Sequence, residues 1–155
     1  MRILVLSDSH GSRRKVEAAA AEQPEAEVIL HLGDGVDDSE DLTYLYPEKT
    51  IVRVRGNCDR YSDLPIEATV TVNGKTILLT HGHEFRVKYT PEPLFDHAQA
   101  IDADIVLFGH THRPETGYHD GLYWMNPGAL KDNRYGIIDI TEQRIVTNLM
   151  ELHTR

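Results

Sequence analysis

Two stretches decide the fold: Ile3-Leu4-Val5-Leu6-Ser7-Asp8-Ser9-His10 and Val28-Ile29-Leu30-His31-Leu32-Gly33-Asp34. Each is a short, nearly continuous apolar run that ends abruptly in polar residues. That is the pattern of a strand buried on both faces. Between them Ser12 to Gln23 is alanine-rich, with Ser12 placed as an N-cap and Pro24 as a stop. A strand, a helix and a second strand in that order predict a parallel β-α-β unit with a right-handed crossover.

Working outward, a third strand is expected at Thr50–Arg55. Residues 66–72 and 75–80 flank Asn73-Gly74, a strong hairpin signal. Thr90-Pro91 opens a helix to about Asp102, the strand Ile105–Phe108 follows, and further strands are expected near 122–126, 134–140 and 144–151. The chain starts as α/β and finishes mostly β, which two packed mixed sheets with outer helices would satisfy. There is no linker, repeat or low-complexity block, so 155 residues are read as a single domain, 1–155.

Composition narrows the function. Lys plus Arg is 16 against 25 Asp plus Glu, a net charge of −9. This argues against a binder of polymeric nucleic acid, which needs a basic surface, and against docking on anionic membrane. No apolar run approaches the ~18–20 residues that span a bilayer. The N-terminal apolar stretch is too short for a signal peptide. One cysteine, Cys58, leaves no internal disulfide and fits a reducing environment, so a cytoplasmic location is expected.

Nine histidines are many for this length, and their placement is telling. Asp8-Ser9-His10, Gly33-Asp34, Gly56-Asn57-Cys58-Asp59, His81-Gly82-His83 and Gly109-His110-Thr111-His112 each follow a predicted strand. In open α/β sheets ligands bind at the carboxyl ends of strands. Glycine there permits a sharp turn and a close approach. Neutral imidazole with carboxylate suits Mn, Fe, Zn or Ni. Asp8, His10, Asp34, Asn57, His81, His110 and His112 make seven candidate ligands. That is too many for one tetrahedral site but matches two ions sharing a carboxylate. Such a pair, ~3.5–4 Å apart, can hold a hydroxide and clamp a phosphate.

Taken in this order, D-x-H, G-D, G-N-x-D, H-G-H and G-H-T-H resemble the calcineurin-like metallophosphoesterase superfamily over residues 3–128. The short chain, G-N-C-D, and Asn126-Pro127-Gly128-Ala129 resemble its small YfcE-like phosphodiesterase branch. The resemblance implies a four-layer α-β-β-α sandwich with a di-metal centre at one end. Asp8, His10 and His112 would hold one ion, Asn57, His81 and His110 the other, and Asp34 would bridge. Two divalent ions, Mn first and Ni, Fe or Zn as alternatives, are the implied cofactors. The implied activity is hydrolysis of a small or nucleotide-like phosphodiester by a bridging hydroxide, with Asp34, Asn57 and His81 essential. A homo-oligomer is compatible with the resemblance.

Cys58 departs from the wider superfamily, where a histidine protonates the leaving group or contacts phosphate. A thiol of pKa about 8.5 suits that role poorly at neutral pH, and Asp59 loses the histidine it would orient. Asn57, Cys58, His83 and Arg113 are the candidate substrate contacts. Blander readings stand beside them: His83 as a hydrogen-bonded loop residue, Arg113 as a surface cation, Cys58 as a small hydrophobe. His31 reads as a packed core residue, and Asp37, Asp38, Glu40 and Asp41 as a solvated acidic face. A non-catalytic scaffold of the same fold and a phosphomonoesterase are the alternative functions.

Overall fold

A computed structural model describes residues 1–153. The two opening runs form β1 (Arg2–Leu6) and β2 (Ala26–His31), parallel and joined by helix α1 (Arg13–Glu22). β3 (Thr50–Arg53) adds in parallel beyond β2. On the other side of β1 lie the antiparallel strands β9 (Arg134–Ile140) and β10 (Ile145–Glu151), giving the order β10-β9-β1-β2-β3. The second sheet runs β4-β5-β6-β8-β7, from β4 (Glu67–Val72), β5 (Lys75–Thr80), β6 (Ile105–Leu107), β7 (Glu115–His119) and β8 (Leu122–Asn126). At the hairpin turn Asn73 and Gly74 both have positive φ, 48° and 79°, the backbone that a type I′ turn demands.

Alternation along the strands builds the layers. Ile3, Val5, Val28 and Leu30 face Ile77, Leu79, Ile105 and Leu107 across the space between the sheets. Their neighbours Leu4, Leu6 and Ile29 point outward onto Val16, Ala19 and Ala20 of α1. On the far side Leu78, Val106 and Phe108 pack under Leu94 and Ala98 of helix α3 (Glu92–Ala100); the short helix α2 (Leu42–Leu45) precedes β3. Both faces of the central strands are thus covered, and the order of layers is α-β-β-α.

Local expectations are corrected in three places. Ser12 makes no side-chain cap; its φ/ψ of −100°/74° lies outside the usual capping geometry. Strand β7 was not anticipated, because Glu115-Thr116-Gly117-Tyr118-His119 is a mostly exposed edge carrying no buried alternation. It forms because it pairs antiparallel with β8, where the Trp124 ring fills the space over Gly117. Strand β3 is shorter than read, ending at Arg53.

Candidate metal centre

Because β1, β2 and β3 are parallel to one another, as are β5 and β6, the loops after these strands gather where the two sheets meet. Backbone bonds join them: Asp8 N–H to Gly33 C=O and His10 N–H to Asp34 C=O, both 3.0 Å, and Gly109 N–H to His81 C=O, 3.0 Å.

Asp8 is fully buried. Its Oδ2 accepts from Ser7 Oγ at 2.6 Å and from His110 N–H at 3.1 Å. That leaves Oδ1 facing His112 Nε2 at 3.1 Å, His10 Nε2 at 3.4 Å and His81 Nε2 at 3.8 Å. Asp34 is oriented the same way: Oδ1 accepts the Cys58 N–H at 2.8 Å, and Oδ2 lies 3.2 Å from His81 Nε2 and 3.8 Å from His10 Nε2. His81 donates Nδ1–H to Leu32 C=O at 2.9 Å, which turns Nε2 inward, 3.2 Å from His110 Nδ1. His10 and His112, 3.3 Å apart through their Nε2 atoms, form the rim, with side chains 28% and 32% exposed.

The inward donors fall into the groups Asp8–His10–His112 and Asp34–His81–His110, each with its ligand atoms within 4.8 Å of one another. Two carboxylates and four imidazoles, backed by hydrogen bonds that fix which atom faces inward, fit divalent transition metals. Five of these six residues sit at positive φ: Asp8 53°, His10 44°, Asp34 56°, His110 70° and His112 61°. Left-handed backbone costs a non-glycine residue on the order of 1–3 kcal/mol and persists where the surroundings over-determine it. Half of the non-glycine residues at positive φ among the described residues are therefore donors of this one cluster.

Charge follows the geometry. Burial alone would raise the Asp34 carboxyl and lower the His81 imidazole. Their mutual hydrogen bond and attraction win, holding Asp34 well below the ordinary carboxylate range and raising His81. Burial and the neighbouring His81 push His110 down to about 4, so it is neutral and ready to donate a lone pair.

The remaining sequence candidates are less tightly held. Asn57 is exposed, its Nδ2 3.6 Å from Cys58 Sγ. The Cys58 thiol lies within 4.8 Å of the donor atoms of His10 and Asp34. Partial burial and the Asp34 carboxylate raise its pKa, so it remains protonated at neutral pH. His83 lies beside the cluster, its ring 5.5 Å from that of His81, and its buried Nδ1 has no hydrogen-bond partner. Arg113 is exposed and follows His112 without turning into the cluster's hydrogen bonds.

Other residues support the donor loops from behind. Asp59 accepts four backbone N–H groups, from Asp34 (2.7 Å), Gly35 (3.0 Å), Val36 (3.1 Å) and Gly56 (2.8 Å), and so clamps the β2 loop to the β3 loop. The approach is close: a Cβ on Gly56 would run into Asp34 Oδ1. Asn126, fully buried, donates to Gly109 C=O and Thr111 Oγ1 and holds the His110–His112 loop. Asp38 corrects the solvated-face reading: it is only 8% exposed and accepts from Ser9 Oγ and Gly11 N–H. The signal for Asp38 was present only as its closeness to Asp34 in the chain.

Fold and donor set together define a metal-binding α/β protein of two face-to-face sheets. The chain belongs to the calcineurin-like phosphoesterase superfamily, whose domain model matches residues 1–143. Among its relatives, the probable metallophosphoesterase YsnB of Bacillus subtilis (strain 168) is 31% identical over 133 residues, 84% of this chain and 76% of YsnB. A conserved protein of Streptococcus pneumoniae TIGR4, described as a predicted phosphoesterase, superposes with a TM-score of 0.81 at 27% identity, over 97% of this chain and 88% of that one. Vps29 of Entamoeba histolytica, crystallised with Zn²⁺, superposes with a TM-score of 0.75 over 99% of this chain and all of its own. At 21% identity that likeness is one of fold.

Proposed function

We propose that the protein is a metal-dependent phosphodiesterase acting on small or nucleotide-like phosphodiesters. The observation that carries this is the position of Asp34 Oδ2, between His81 Nε2 at 3.2 Å and His10 Nε2 at 3.8 Å. Asp34 thereby faces both donor groups, where a ligand shared by two ions would stand. Asp8, His10 and His112 would hold one ion and His81, His110 and Asn57 the other. When bound, a pair of divalent ions supplies an activated water and Lewis-acid polarisation of the phosphoryl oxygens.

The protein's own groups then have separable tasks. Asp8 and Asp34, each held through its second oxygen, keep the donor groups at a set distance. His83 stands beside the cluster, its ring 5.5 Å from that of His81, as the candidate contact for a phosphoryl oxygen. Burial and the neighbouring His81 lower its pKa, favouring the neutral ring. Cys58 stands at the mouth as a protonated thiol, so leaving groups that need little protonation are favoured. Arg113 and Asn57, both exposed at the rim, complete the substrate contacts. Mn²⁺ is the expected ion, with Ni, Fe or Zn as alternatives for the same N/O donor set. No membrane or nucleic-acid polymer is needed as a partner.

The second reading is a metal-binding scaffold without turnover, favoured by the fold shared with the zinc complex of Vps29. Hydrolysis of bis-p-nitrophenyl phosphate by metal-free protein titrated with Mn²⁺ decides between them, with p-nitrophenyl phosphate as the monoester comparison and His112→Ala as control. Diester turnover that saturates near two ions per chain and is lost in the variant supports the phosphodiesterase. Tight binding of two ions without turnover selects the scaffold, and preference for the monoester a phosphomonoesterase.

A further inference from the structure

Behind the inward-facing donors lies a second chain of hydrogen bonds, buried, that the proposed chemistry does not use. Ser9, between Asp8 and His10, is fully buried. Its Oγ donates to Asp38 Oδ2 at 2.7 Å and lies 3.1 Å from His31 Nε2. The other ring nitrogen, His31 Nδ1, accepts the Gly33 N–H at 3.1 Å. A neutral imidazole accepting at Nδ1 carries its proton on Nε2, so His31 donates to Ser9. Gly11 N–H reaches the same Asp38 Oδ2 at 2.9 Å. Direction is therefore assigned at every link: Gly33 to His31, His31 to Ser9, and Ser9 with Gly11 to Asp38.

We propose that Asp38, Ser9 and His31 are positioning residues: this relay fixes the β1 loop, with Asp8 and His10, against the β2 loop, with Asp34. It thus sets the spacing of the two carboxylates for metal; the role rests on the di-metal reading of the site. The two residues flanking Ser9 are both at positive φ, a backbone that persists only where the surroundings hold it. Their N–H groups bond to Gly33 and Asp34, and the Ser9 Oγ between them adds a side-chain anchor with two partners. The packing leaves no slack, since a Cβ on Gly35 would collide with Ser9 Oγ and Asp38 Oδ2. Complete burial pushes the His31 pKa down to about 4, which keeps the neutral form that the assigned direction requires.

Calorimetric titration of Mn²⁺ into metal-free wild type, Asp38→Ala, Asp38→Asn and Ser9→Ala tests this, with the thermal transition of each metal-free protein recorded alongside. Loss of a group hydrogen-bonded directly to a metal ligand typically costs about 10–100-fold in affinity. Asp38 and Ser9 act one step further out, through the loop that carries the ligands, so a loss toward the lower end of that range is the effect to look for. That weakening is expected for Asp38→Ala and Ser9→Ala, with recovery in Asp38→Asn, which keeps an oxygen acceptor. Wild-type affinity in Asp38→Ala overturns the proposal, as does equal weakening in Asp38→Asn. If Asp38→Ala does not fold, Ser9→Ala and Asp38→Asn decide. The tautomer of His31 in metal-free wild type, from long-range ¹H–¹⁵N correlation, is the independent check: Nε2–H is expected, and Nδ1–H breaks the relay. Wild type that binds no ion sinks the site reading and, with it, the metal-positioning role; wild type that binds ions while Asp38→Ala and Ser9→Ala bind them equally well sinks the positioning role alone.

Discussion

Asp34 faces both donor groups: one oxygen is held by the Cys58 N–H, and the other stands between His10 and His81. Asp34→Ala is therefore expected to abolish binding of both ions, as measured by metal content after gel filtration; stoichiometric retention would contradict the shared-ligand role. His81 leads to a pH prediction. Its pKa is raised in the folded protein because Asp34 and Asp8 outweigh burial. Protonated His81 thus contributes stability that is complete below the unfolded value near 6.5 and is lost as pH rises through the folded value. For Asp34 the sign reverses, the stability being present above 3.8 and lost only in strong acid. A metal ion competes with the His81 proton, so Mn²⁺ affinity should rise with pH through neutrality and binding should release a proton. Calorimetry in buffers of different ionisation enthalpy measures that release. At this scale Asp8, His10, Asp34, His81, His110 and His112 were legible as polar residues after apolar runs. Asp38 was not, because nothing local separates an aspartate facing Ser9 from one facing water.

Loops rather than regular elements hold the donors, and their shape is set by contacts between loops. Asp59 joins the β2 and β3 loops through four N–H groups. Asp59→Ala leaves these without their acceptor and should lower stability by on the order of 3 kcal/mol in urea unfolding. Asp59→Asn, keeping one oxygen acceptor, should lose less. Sequence reading left Asp59 without a task once Cys58 replaced a histidine, and the structure assigns it one independent of any histidine. The strands β1, β2, β5 and β6 were readable because burial on both faces imposes apolar runs, and α1 because an alanine-rich stretch ends at Pro24. Edge strand β7 and the left-handed backbone at the donor residues were not, since edge pairing and positive φ leave no periodic trace.

For the whole molecule, ions that bind only the folded chain stabilise it by mass action. Mn²⁺ at a hundredfold its Kd should add about 2.7 kcal/mol per site, visible as a rise in Tm by scanning fluorimetry and reversed by EDTA. The net charge of −9 predicts no measurable binding of duplex DNA at physiological salt, which fluorescence anisotropy of a labelled duplex checks. No helix among the described residues is long and apolar enough to cross a membrane. By itself the sequence determined the strand–helix–strand start, the mixed-sheet class and which residue types stand at the strand ends. Each of these depends on hydrophobic periodicity and turn chemistry, which act over a few neighbouring residues. Only the tertiary structure decided which oxygen of Asp8 and Asp34 faces inward, that His81 is turned by a carbonyl 49 positions away, and that Asp38 lies buried against Ser9. Those choices follow from hydrogen bonds between segments far apart in the chain, and they exist only once the two sheets have closed on each other.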